Sequence, residues 1–92
     1  MREHQAPGML CEHVFKALAE GKKITGIQVI QHASGRWFIR ISGDWLGGHE
    51  YVLGFYDRAT AKLYKNYMLG IEFAQKRLNY AGPIRIIPYA GK

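Results

Sequence analysis

Residues 24–42 read ITGIQVIQHASGRWFIRIS, and the fold depends on how this stretch divides. Ile24 to His32 is rich in β-branched residues, which favour a pleated strand. Ala33-Ser34-Gly35 then reads as a short hairpin turn, with glycine where a positive φ is needed. From Arg36 to Ser42 the residues alternate. Trp37, Ile39 and Ile41 share one face, and Arg36, Phe38, Arg40 and Ser42 share the other. The stretch therefore predicts an antiparallel hairpin with one apolar face and one basic, aromatic face.

Working outward, Gly43-Asp44-Trp45-Leu46-Gly47-Gly48-His49 reads as a loop and Glu50 to Tyr56 as a third strand. Asp57 is placed to cap a long helix reaching about Asn79. Leu63, Tyr64, Tyr67, Met68, Ile71, Ala74 and Leu78 form its main stripe. Leu69 and Phe73 lie roughly opposite that stripe, one helical turn apart, beside Lys62 and Lys76. Gly82-Pro83 ends the element, and Ile84 to Tyr89 suits a short fourth strand. Upstream, Met9 to Glu20 suits a helix closed by Gly21. Leu10, Cys11, Val14 and Leu18 fall on one side of it, and Glu12, His13, Lys16 and Glu20 on the other. Residues 1–8, ending in Pro7-Gly8, read as a flexible lead. The expected architecture is a two-layer α+β domain over residues 9–92: a three-stranded antiparallel meander, one long helix packed on it and a shorter amino-terminal helix.

The chain has 92 residues, enough for one domain, and its 48% hydrophobic and 22% charged composition is that of an ordered globule. Cys11 is the single cysteine, so no intrachain disulfide forms and a reducing compartment is the natural setting. No apolar run approaches the ~20 residues that span a bilayer, and the first residues lead into no signal core. A soluble protein of the cytoplasm is expected (the host cell's, if the chain is phage-encoded). Thirteen Lys and Arg against seven Asp and Glu give a formal charge of +6. That favours acidic partners such as nucleic acid, an acidic protein face or an anionic membrane; the plainer reading is that it maintains solubility.

Catalysis needs converging polar groups, and they do not converge in the sequence. Cys11 and His13 are two apart on a helix and point away from each other, and Cys11 sits on the apolar stripe as a small hydrophobe. One cysteine with His4, His13, His32 and His49 scattered over four elements does not match a zinc site. His49-Glu50 lacks a second acidic cluster, and Gly47-Gly48 lacks the setting of a phosphate loop. No catalytic residue, metal, cofactor or small-molecule substrate is expected, and the chain reads as a binding protein rather than an enzyme.

Arg36, Phe38 and Arg40 lead the binding candidates, with Lys62 and Lys65 as further cations. Guanidinium groups contact phosphates or base edges, and an exposed phenyl ring stacks on a base. The alternative is that the amino-terminal helix covers this face while the arginines snorkel at its margin. One helix cannot cover both sheet faces, so the position of the first helix discriminates. Trp45 is either a plug over the core or an anchor for a partner. Leu69 and Phe73, with Tyr80 nearby, are either covered within the fold or form the interface of a homodimer or another protein partner.

Ser34-Gly35-Arg36-Trp37, then Leu53-Gly54-Phe55-Tyr56-Asp57, then Ala59-Thr60-Ala61 resemble the order of motifs in the three-stranded-sheet-plus-helix DNA-binding domains. These include the plant ethylene-response type and the arm-binding domains of phage-type tyrosine integrases. The resemblance spans Gly26 to about Met68 and implies that the exposed sheet face enters the DNA major groove, with Arg36, Phe38 and Arg40 at the interface. The first strand departs from that family: Gln28, Ile30 and His32 stand where it carries arginines, and the middle loop is longer. A looser resemblance, in size and composition, is to small accessory proteins of phages and mobile elements, including anti-CRISPR inhibitors. Together these imply a non-enzymatic phage or mobile-element protein that binds nucleic acid or a host nucleoprotein complex, as an inhibitor of it in the anti-CRISPR case. The competing expectation is a protein-binding or dimerising module with no nucleic-acid role.

Overall fold

A computed structural model of the chain describes residues 8–9, 11–54 and 61–90. In chain order the elements are β1 (Gly8–Met9), α1 (Cys11–Ala19), β2 (Ile24–Gln31), β3 (Trp37–Gly43), β4 (Glu50–Leu53), α2 (Tyr67–Lys76) and β5 (Ile84–Ile87). They form an α+β fold whose mixed sheet runs β1-β4-β3-β2-β5, with β1 only two residues long.

The hairpin forms where the alternation places it. β2 and β3 pair antiparallel with Gln31 opposite Trp37, Val29 opposite Ile39 and Ile27 opposite Ile41. Gly35 takes φ 93° in the turn, a conformation that side-chain-bearing residues rarely adopt. β4 pairs antiparallel with β3 through Arg40, Ile41 and Ser42, completing the meander. The sheet is nevertheless not purely antiparallel. β5 runs parallel to β2, with Ile27 beside Ile84 and Val29 beside Ile86, and β1 runs parallel to β4.

The long helix is the main correction. α2 begins at Tyr67, capped by Asn66, whose side-chain oxygen accepts from the Leu69 N–H at 3.1 Å. Residues 61–64 are extended instead: Ala61 bridges Gly54, and Tyr64 exchanges two backbone hydrogen bonds with Trp37, at 2.7 and 2.9 Å. Tyr64 thus continues the ladder on β3 beyond the end of β4. Ladder bonds satisfy these backbone groups as a helix would, so Leu63 and Tyr64 leave the helical stripe. The carboxyl end falls short of Asn79, which sits at φ 56° beyond the last turn. The Asp57 cap and the strand residues Phe55 and Tyr56 lie outside the described residues, as do residues 1–7 of the expected lead.

α1 starts at Cys11 rather than Met9, which belongs to β1, and ends as the glycine signal implies. Gly21 is at φ 91°; its N–H donates to Leu18 O and that of Lys22 to Ala17 O, the paired bonds of a Schellman cap.

The core lies on one face of the sheet. Val29, Ile39, Ile41 and Leu53 are fully buried, and they cluster with Cys11 and Val14 of α1 and with Ala74 and Leu78 at and after α2. Both helices therefore cover the Ile39 face. α2 comes close because Gly70 faces the sheet: a Cβ there would lie 3.3 Å from a Val29 methyl. No described helix is long and apolar enough to cross a membrane.

Candidate binding surface

With both helices on the Ile39 face, no described element packs over the opposite one. The strand registers assemble that open face row by row. Val52, Arg40, Gln28 and Arg85 stand side by side across β4, β3, β2 and β5. The adjacent row is Phe38, Ile30 and Ile87. Ser42, between Glu50 and Gly26, closes the other side. Every described side chain on these rows is partly or fully solvent-exposed, whereas Val29, Ile39 and Ile41 on the reverse are sealed.

Arg40 is held in place on this face. Its Nε donates to Gln28 Oε1 at 2.8 Å and lies 3.1 Å from Glu50 Oε1. An ion pair this exposed stabilises by ~0–1 kcal/mol, so its main effect is to fix the guanidinium. Arg36 and Arg85 are exposed, and Arg36 follows a turn braced by the His32 ring and the Ser34 hydroxyl, 3.0 Å apart. Phe38 is half-buried and meets the His32 ring edge-on, with centroids 6.5 Å apart. After the Arg40–Glu50 pair cancels, Arg36 and Arg85 leave the face positive.

The remaining candidates, Lys65 apart, go elsewhere. Trp45 is partly buried, packing against the core and over Gly43, where a Cβ would collide with its ring. Phe73 is not an open patch. Its ring lies 6.4 Å from Phe15 and 6.0 Å from Tyr64, with Lys62 Nζ at 4.5 Å and the Arg77 guanidinium at 5.7 Å. Leu69, on α2, is 43% exposed, and Lys65 is exposed. Lys62, Leu69 and Phe73 are thus separated from Arg36, Phe38 and Arg40 by the sheet, whereas Lys65 follows Tyr64, whose antiparallel bridge to Trp37 brings Lys65 across from Arg36.

No described His, Cys, Asp or Glu residues gather as a metal site. The Cys11 thiol donates to Gly54 O at 3.0 Å, and burial raises its pKa despite the nearby charges of Lys62 and Arg77. A protonated, buried thiol is a poor nucleophile. Glu50, the carboxylate beside His49, is committed to Arg40.

Arg85, Ile87, Ile30 and Val52 were missed as site residues. Ile84-Arg85-Ile86-Ile87 marks a strand, but only its parallel pairing places Arg85 in the same row as Arg40, on the other side of Gln28. No family model, curated protein or solved structure matches the chain. The two resemblances therefore rest on the motifs and composition that prompted them.

Proposed function

We propose that the open sheet face is a nucleic-acid-binding platform, with Phe38 stacking on a base while Arg36, Arg40 and Arg85 engage phosphates. The observation that carries this reading is the placement of both described helices on the opposite face, which leaves the half-buried Phe38 ring flanked by arginines on a face that no described element covers. An unpaired strand suits it better than a duplex groove. Phe38 lies beside the apolar Ile30, with Ile87 next in the row, whereas base-edge reading needs several uncommitted donors and acceptors, and the Gln28 amide oxygen already accepts from Arg40. The net charge of +6 adds long-range attraction to any polyanion. The same surface would bring the chain to a host nucleoprotein complex through its exposed strand, the step an inhibitor of such a complex requires.

The test is fluorescence anisotropy with labelled single-stranded DNA, single-stranded RNA and duplex DNA over a salt series. Three phosphate contacts on a single strand give a log–log salt slope of about −2. Arg36→Glu with Arg85→Glu should abolish binding while shifting stability by less than about 0.5 kcal/mol, because both side chains are exposed. Binding unaffected by this double variant contradicts the proposal, as does its absence at low salt.

A further inference from the structure

On the helical side of the molecule, a cleft of about 720 Å³ opens between the end of α1, the start of β2 and the segment that links α2 to β5. Its size is that of ordinary small-ligand sites, ~300–1,000 Å³. Lys22, Lys23 and Arg77 line it together with Phe15, Leu18 and Tyr80, and none of its described lining residues is acidic.

Three features shape what it can take. The Arg77 guanidinium lies 5.4 Å from the centre of the Phe15 ring and 5.7 Å from that of Phe73, so the charge is held by aromatic rings instead of being neutralised by a carboxylate. The Ala17 and Leu18 carbonyls at the end of α1 accept from the Lys22 and Gly21 N–H groups, so these two acceptors are partnered within the helix cap. The remaining helix dipole, roughly half a unit of negative charge, is small against three cations. Finally, the Tyr80 hydroxyl donates to Pro83 O at 2.9 Å, fixing an aromatic ring in the wall.

We infer that this cleft binds a phosphorylated small molecule with a flat or apolar body, of the nucleoside monophosphate class. Lys22, Lys23 and Arg77 take the phosphate, while Phe15, Leu18 and Tyr80 take the body. The site lies on the other side of the sheet from the proposed nucleic-acid platform and does not depend on it.

Isothermal titration of the full chain with adenosine monophosphate, adenosine and inorganic phosphate tests the assignment. Adenosine monophosphate should bind most tightly, inorganic phosphate at least tenfold more weakly, and adenosine more weakly still. Lys22→Gln with Lys23→Gln should reduce monophosphate affinity at least tenfold at low salt. This variant keeps the fold, since both side chains are exposed and the capping bonds use backbone groups. Thermal melting of the variant confirms that point. Arg36→Glu with Arg85→Glu should leave monophosphate affinity unchanged, which separates this site from the sheet face. Equal affinity for adenosine and its monophosphate, or no binding of the monophosphate at millimolar concentration, overturns the inference.

Discussion

The two faces of one sheet are built from the same strands and differ in what they do. On one, Ile27, Val29, Ile39 and Ile41 are sealed beneath α1 and α2. On the other, residues one step along the chain, Gln28, Ile30, Phe38 and Arg40, remain in contact with solvent. Because side chains alternate, stability and recognition are assigned residue by residue within a single strand. Ile39 belongs to the core, and its neighbours Phe38 and Arg40 form the candidate surface. An open face carrying Phe38, Ile30, Val52 and Ile87 alongside arginines is more apolar than solubility requires, and that excess is what suggests a partner.

Substitutions on either face sharpen this contrast. Ile39→Ala should be the most damaging, at roughly 3 kcal/mol, because it leaves a cavity in a fully buried position. The melting temperature should fall by roughly 15 °C. Gly70→Leu should cost roughly 2 kcal/mol by urea denaturation: the gain in helix propensity is ~1 kcal/mol, and forcing α2 away from Val29 outweighs it. Phe38→Ala should cost about 1 kcal/mol, mostly its cross-strand contact with Ile30, yet remove nucleic-acid binding. If Phe38→Ala matched Ile39→Ala in stability loss, the two faces would not differ as described.

The smallest expected effect concerns pH. Burial raises the pKa of the Cys11 thiol above its ordinary 9.0, and that of the Tyr64 hydroxyl above its ordinary 10.0. As pH rises past about 9, the unfolded chain gives up these protons before the folded one, so stability is intact below that pH and declines above it. The urea midpoint should therefore drop between about pH 9 and pH 11, and drop less in Tyr64→Phe above about pH 10. An equal drop in both proteins would show that Tyr64 contributes nothing to it.

The hairpin, its apolar face and the Gly21 helix stop were legible because local signals agreed: β-branched composition, period-two alternation and a turn glycine. The start of α2 was not. Leu63, Tyr64, Tyr67, Met68 and Ile71 suit a helical stripe, but Tyr64 is claimed by the ladder with Trp37, a tertiary contact no local pattern reveals. The site was legible in part. Arg36, Phe38 and Arg40 do share a face, whereas Arg85 reaches it only through the parallel pairing of β5 with β2. Phe73 read as an outward residue because helical periodicity cannot register α1, whose Phe15 packs beside it.

The most direct test is an NMR titration of isotope-labelled protein with a short single-stranded oligonucleotide, following backbone and arginine side-chain signals. Perturbations should concentrate at Gln28, Ile30, Phe38, Arg40 and Arg85, leaving Phe15, Phe73 and Ala74 on the helical side unmoved. Perturbations centred on the helical side, or none at saturating oligonucleotide, would contradict the assignment of the open face as the binding surface.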